Sequence, residues 1–382
     1  MTEKLYYKDS YIAEFDAIVE NCEPREGGWL VTLDKTAFFP EGGGQPSDVG
    51  FIGDAEVTYA KEVGDDVLHY TDKLIEKGTP VRCKIDFDRR FSLMQNHGGE
   101  HILSGVVNRN YGLDNVGFHM GSEDITVDYS GYLDREQLLA AEREANEIIY
   151  KNLPIKATFP SPEELKNMTY RSKKELTGAV RIVEMENCDR CACCAPHLSR
   201  TGEIGVIKLL DFIRYKGGVR VHLHCGRDAL ADYEKRYEVL RDAGNLLSVK
   251  QEEVKDAVER LFDENGKIKA ALSAAKAEIM QMKIAEIPEK ERTVCHFEPD
   301  ASGDDMRKFA DLAADKTGGT CAVFSGVDGD YKFVIISRSV DLSARRGEVC
   351  EKLSAKCGGD RKMLSGRASC DRETIEKYLK NF

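Results

Sequence analysis

A chain of 382 residues has length enough for two or three domains, and 41% hydrophobic against 32% charged residues is an ordinary globular composition. The formal net charge of −12 excludes a protein that coats nucleic acid through bulk positive charge, but not one that binds it through a local patch. No apolar run approaches bilayer length and the acidic N-terminus has no apolar signal core, so no membrane partner and a cytoplasmic location are expected. In that compartment the twelve cysteines are free thiols or metal ligands rather than disulfides.

Residues 1–90 read as short alternating segments ("YIAEFDAIVENC", "GWLVTLDKTAFF", "AEVTYAKEV", "DVLHYTD", "PVRCKIDFD") broken by Gly, Asp and Pro, which predicts a small N-terminal β-barrel. From Asp88 to about Asn108 the pattern turns helical. Residues 115–130 predict a hairpin and 134–152 an amphipathic helix ending before Pro154. Ser161, as N-cap with Pro162 behind it, starts another helix. Residues 228–290 differ. With Tyr233 as an a position, Leu240, Leu247, Val254, Leu261, Ile268, Ala275 and Met282 continue an unbroken apolar heptad seam, while the d seam is weaker. Gly244-Asn245 and Asn265-Gly266 are candidate breaks, so a folded-back helical arm is expected. Residues 291–382 predict an α/β module: a strand at 293–298, a helix at 303–316, strands at 320–326 and 331–338, a helix at 342–356, then a glycine-containing loop. The expected fold class is α+β, divided at 1–90, 91–227, 228–290 and 291–382.

The chemistry concentrates in two places. "NHGGEH" puts His97 and His101 four apart, hence on one helical face. Downstream, "CCAPH" repeats that spacing with Cys193 and His197. Two such pairs make a complete tetrahedral set for zinc, which prefers imidazole nitrogen and thiolate sulfur. A local site built from Cys188, Cys191, Cys193 and Cys194 is the alternative, but it leaves the histidine pair idle; Cys188, Cys191 and Cys194 read better as a sulfur-rich surround. His-x-x-Glu-His is also the inverted zinc-peptidase string, although Gly98 and Gly99 weaken the helix it needs and nothing in it explains the cysteine pair. "FFPEGGGQPSDVG" lets backbone approach a ligand closely at Gly42, Gly43 and Gly44, with Gln45 and Asp48 as polar readers. His119, flanked by glycines, is a candidate to reach the site from the hairpin; Thr201 and Glu203 read as structural in the turn after His197. Two glycines between two histidines are expected to thin the helix beside the ligands and leave room for substrate, with packing against the barrel as the alternative.

Together these stretches resemble the editing domain of alanyl-tRNA synthetases and the free-standing AlaX proteins. "FFPEGGGQPSDVG" looks like that family's glycine-rich motif, "HGGEH" its HxxxH, and "CCAPH" with "TGEIG" its CxxxH and following turn. "VRVHLHCGRDALADY" resembles the segment that closes the domain, and the C-terminal module resembles the DHH-associated domain. The resemblance implies Zn2+ held by His97, His101, Cys193 and His197; a pocket for the tRNA 3′ end at Gly42, Gly43, Gly44 and Gln45; and tRNA held by the C-terminal module. It also implies hydrolysis of tRNA(Ala) mischarged with serine or glycine, without aminoacylation. Glu100 is the candidate water-activating group, Gln45 a second catalytic candidate, and Asp48 and His119 substrate contacts. A homodimer through the arm or the C-terminal module is expected. A noncatalytic tRNA-binding protein with structural zinc and a zinc peptidase are the alternatives.

Overall fold

The structure, a computed structural model, describes residues 1–121, 125–172 and 179–382. The chain divides into two compact units, Met1–Ala243 and Gly244–Phe382.

The first unit opens with eight strands: β1 (Glu3–Lys4), β2 (Glu14–Arg25), β3 (Gly28–Leu33), β4 (Lys35–Thr36), β5 (Gly50–Ile52), β6 (Ala55–Val63), β7 (Asp66–Thr71) and β8 (Pro80–Ile85). Six of them close into an antiparallel barrel in the order β2-β3-β7-β6-β5-β8. Strict alternation does this: along β8, Val81, Cys83 and Ile85 point inward while Pro80, Arg82 and Lys84 face solvent. Phe15, Val19, Val31, Leu33, Phe38 and Val67 fill the interior. His69 takes an inward position too. Its Nδ1–H donates to the Val31 carbonyl (3.0 Å) and its Nε2 accepts from the Thr36 hydroxyl (2.9 Å).

α1 (Phe87–Tyr111) follows, started by the Asp86 side chain, which accepts from the Arg89 amide, and ended by Gly112 at φ 66°. Every residue from Met94 to Val107 is buried, so this is a central helix covered on all sides rather than an amphipathic one. Around it pack the hairpin β9 (Asn115–Met120)/β10 (Ile125–Tyr129), α2 (Arg135–Tyr150), β11 (Ile155–Thr158), the short α3 (Pro162–Lys166), β12 (Ile182–Met185), β13 (Asp189–Ala192), β14 (Ile207–Tyr215) and β15 (Gly218–Cys225). One antiparallel sheet runs β14-β15-β10-β9 and another β11-β12-β13. Ser161 caps α3 in a reciprocal box with Glu164.

The two glycines of α1 do not open space for a ligand, nor do they face the barrel. A Cβ on Gly99 would lie 2.3 Å from the Cys225 sulfur and 3.2 Å from Ile207, and one on Gly98 would lie 3.1 Å from Ile204. They let the central helix press against β15 and the turn before β14. Gly105 does the same at the other end, with the Cys188 carbonyl 2.6 Å from its missing Cβ.

α4 (Gly226–Leu247) runs straight through Gly244-Asn245 and stops at Leu247. α5 (Val254–Ala285) is continuous through Asn265-Gly266. The second expected break does not occur, because one glycine costs only about 1 kcal/mol relative to alanine and a helix this long outvotes it. The second unit continues with β16 (Thr293–Phe297), α6 (Gly303–Thr317), β17 (Thr320–Val327), β18 (Asp330–Ser337), α7 (Leu342–Lys352), β19 (Ala355–Gly359), β20 (Met363–Ala368) and α8 (Arg372–Leu379), with sheet order β16-β17-β18-β20-β19. The glycine-containing stretch expected as a loop is the edge strand β19. α7 correspondingly ends at Lys352 rather than 356.

Candidate metal centre and pocket

His97 and His101 lie one turn apart on α1. Cys193 and His197 come from the segment that leaves β13. The structure brings one donor atom from each of the four within 4.8 Å of the others. Cys193 Sγ is 3.5 Å from His97 Nε2 and 3.3 Å from His197 Nε2. The three imidazole rings stand 4.7–5.2 Å apart, centre to centre.

The surroundings aim these donors. Gln45 Oε1 accepts from His97 Nδ1–H at 2.9 Å, and Asp189 Oδ2 accepts from His101 Nδ1–H at 2.9 Å. Each ring therefore presents Nε2 to the cluster, the arrangement that orients and polarises a metal-binding histidine. Asp189 is in turn gripped by Arg171, whose Nε and Nη2 donate at 2.7 and 2.8 Å. Burial alone would raise the Asp189 carboxyl. The hydrogen bonds from His101 and Arg171 outweigh it and hold the group below the usual carboxylate range. Burial, reinforced by His101 and His97, pushes the His197 imidazole well below its ordinary value, so it stays neutral. Burial also pushes the Cys193 thiol upward, and a divalent cation among these donors would reverse that shift. His197 Nδ1 is buried without a hydrogen-bond partner among the described residues. Three imidazoles and a thiol, two of the rings braced from behind, fit a zinc ion.

His97, His101 and Cys193 of this cluster line a cavity of about 550 Å3. Its walls include Gly43, Gly44, Val116, Gly117, Phe118, Tyr7, Phe159, Arg181, Cys191 and Cys194. Gly44 sits at φ 85°, and a Cβ there would strike the Phe118 carbonyl at 2.6 Å; the Met120 amide donates to the Gly44 carbonyl at 3.2 Å. Only glycine lets the loop seam onto β9 this closely.

Four residues expected at the site have other placements. Gln45 is buried and braces His97 from behind instead of facing the cavity. Asp48 is 1% exposed, and its carboxylate is engaged by the fully buried Arg90 and by the Phe39 amide. These bonds clamp the glycine loop from inside. Glu100 is 1% exposed and accepts from Ser104 (2.6 Å) and Asn115, outside the cavity lining. Although it adjoins His101 in sequence, Ser104 one turn on and Asn115 of β9 hold its carboxylate. His119 is exposed on β9, while its neighbours Val116, Gly117 and Phe118 form the wall. Gly42 lies just behind the wall, its missing Cβ 3.7 Å from the Cys194 sulfur. Thr201 and Glu203 hold the turn after His197. Thr201 bridges the Ile148 carbonyl and the Leu153 amide, and Glu203 accepts from Tyr11 and Ser199. The sequence carried no motif signal for Asp189, Arg171 or Arg181. The one available cue was "CDRC", which sets an acid between cysteines on a strand leading to Cys193.

Residues 180–231 match the family model "Threonyl and Alanyl tRNA synthetase second additional domain", a span that includes Arg181, Asp189, Cys193 and His197. The alanine–tRNA ligase of Pyrococcus abyssi is 30% identical, the alignment covering 99% of this chain and 43% of the ligase. That of Halorubrum lacusprofundi is 32% identical over 94% of this chain and 40% of the ligase. The chain thus spans about two fifths of the length of these curated relatives. Among solved structures, the C-Ala domain of Aquifex aeolicus alanyl-tRNA synthetase aligns at a TM-score of 0.21 and 16% identity, covering 23% of this chain and 87% of the domain, too distant to compare folds. Residues 180–231 thus carry the domain that threonyl and alanyl tRNA synthetases share, and nearly the whole chain is similar to about two fifths of alanine–tRNA ligases.

Proposed function

We propose that the chain is a hydrolase that removes serine, and by the same logic glycine, from tRNA(Ala) charged with the wrong amino acid. One observation carries the reading: His97, His101, Cys193 and His197 converge, and the first three of them line an accessible cavity. The chain around that cavity aligns with alanine–tRNA ligases over nearly its whole length. An alanine-charging site rejects serine poorly, since serine merely adds a hydroxyl, so a second site must remove the product.

Zinc held by the four donors would supply Lewis acidity toward the ester carbonyl and lower the pKa of a bound water. The protein's own residues supply the rest. Gln45 and Asp189 keep the His97 and His101 rings aimed. Gly43 and Gly44 keep one wall at backbone thickness, and Tyr7, Phe118 and Phe159 offer apolar faces to a nucleobase. No carboxylate lies among the described lining residues, so no Asp or Glu is assigned as general base. The placement of Glu100 argues against the peptidase reading, which needs that side chain at the metal. We assign tRNA holding to the module at 291–382. Homodimer formation is assigned to the exposed seam Leu261, Ile268, Leu272, Ile279 and Met282 on α5.

The test is deacylation of Ser-tRNA(Ala) against Ala-tRNA(Ala), with and without a zinc chelator. Selective, chelator-sensitive loss of serine is expected. Loss of neither, with zinc bound, would replace this reading with a tRNA-binding protein carrying a structural metal.

A further inference from the structure

Two arginines of the first unit with little exposed surface pair with carboxylates: the fully buried Arg90 with Asp48, and the largely covered Arg171 with Asp189. Arg181, at 8% exposure, pairs with no carboxylate among the described residues. Its Nη1 donates to the carbonyls of Cys193 (3.0 Å) and Ala195 (2.7 Å), which fixes the guanidinium against the segment carrying the metal-site cysteine. Its Nε and Nη2 donate to nothing within the described protein, and the side chain lines the cavity. The Tyr7 ring lies 5.4 Å from the guanidinium carbon. A buried cation with no counter-charge among the described residues is costly, and a planar fork with two donors unengaged by the described protein, on a residue that lines an open cavity, makes a ready seat for an anion.

The charge is not needed by the metal site. A divalent cation and a single thiolate already leave that site net positive, so Arg181 adds to the attraction for an anion instead of balancing the sulfur. In an aminoacyl ester the carboxyl is esterified and neutral, and the amino group is cationic. The nearest anion in the substrate is the phosphate on the 5′ side of the terminal nucleoside, one ribose away from the ester.

We propose that Arg181 binds this terminal 5′-phosphate through Nε and Nη2 and so sets the depth at which the 3′-ester enters the cavity. The inference rests on the aminoacyl-tRNA hydrolase reading and assigns the residue that recognises the nucleotide rather than the amino acid.

The test uses the full chain with zinc loaded and two small substrates, 3′-O-seryl-adenosine and the same ester carrying a 5′-phosphate. The ratio of their kcat/KM values reads the phosphate contact alone. The wild-type protein is expected to favour the phosphorylated ester by about ten- to hundredfold, the range of a charge-assisted paired contact. Arg181→Gln should bring the ratio close to one, and Arg181→Lys, a point charge of shorter reach, should give an intermediate ratio. Zinc content and thermal melting report whether each variant folds, and a merely structural role would slow both esters equally and leave the ratio alone. A wild-type ratio near one, or an unchanged ratio in Arg181→Gln, overturns the proposal. If the wild-type protein cleaves neither ester, the hydrolase reading fails, and calorimetry with 5′-AMP against adenosine decides on Arg181. Tighter AMP binding that disappears in Arg181→Gln upholds the phosphate seat; equal binding of the two removes it.

Discussion

Gly98 and Gly99 are neighbours on one buried helix, yet alanine should be tolerated at the first and destabilising at the second. Neither has a positive φ, so alanine gains about 1 kcal/mol of helix propensity at each. At Gly98 the new Cβ meets only the outer carbons of Ile204, at 3.1 and 3.3 Å, and that side chain can yield by a few tenths of an ångström. At Gly99 the new Cβ sits 2.3 Å from Cys225 Sγ, and 3.1 Å from Cys225 Cβ and 3.2 Å from Ile207 even if the sulfur swings aside. Cys225 is fully buried and its amide donates to Asn96 at 2.8 Å, so β15 is held in place. Overpacking of this kind costs about 1–3 kcal/mol. The net expectation is near neutrality for Gly98→Ala and a loss of about 1–2 kcal/mol for Gly99→Ala, or about 2–8 °C in Tm for a unit of this size. Thermal and urea unfolding of the full chain measure both. Cys225→Ala, combined with Gly99→Ala, should recover part of the loss by removing the sulfur, giving a coupling of about 1 kcal/mol in the double-mutant cycle. The reasoning is refuted if Gly99→Ala raises Tm as an exposed glycine-to-alanine change does, or if the cycle shows no coupling.

Asp189→Asn should weaken zinc binding by about ten- to hundredfold, measured by chelator competition, because it removes the carboxylate that aims His101. Asp48→Asn leaves the fully buried Arg90 without its counter-ion and is expected to cost about 3–5 kcal/mol in urea unfolding. A loss under about 1 kcal/mol would show that the pair is dispensable. His69 is fully buried, and burial lowers its imidazole from 6.5 to about 4. The unfolded chain therefore binds a proton there, between those values, that the folded chain does not, so stability falls as pH drops from 6.5 toward 4. From pH 7 to pH 5 the loss from this group is about 2 kcal/mol, and His69→Gln should flatten that slope in unfolding curves taken at the two pH values.

Local information carried much of the architecture. Alternation of inward and outward residues in the first 90 positions marks strands with one buried face, and long-range pairs such as β2 with β8 close them into a barrel. Caps such as Asp86, Ser161 and Gly112 mark helix ends because the orphan backbone groups there are satisfied within three or four residues. The His97/His101 pair was legible for the same reason, since a spacing of four on a helix is a statement about one face; Cys193 and His197 repeat the spacing on an irregular segment, where it fixes no face. Tertiary structure alone decided what stands behind and beside those ligands. Glu100 touches His101 in sequence but turns toward Ser104 and Asn115, while Asp189, 88 positions away from His101, is the carboxylate that reaches its ring. Asp48 and Gln45 sit in a loop whose composition suggests ligand contact, yet Arg90 and His97, 42 and 52 positions on, turn both inward. Gly98 and Gly99 read as an opening and are instead the points where a central helix meets β15 and the turn before β14. Spacing along a chain constrains only what lies within a turn or a pleat. Which charge meets which, and which gap is filled, follow from long-range packing that a single strand of sequence does not encode locally.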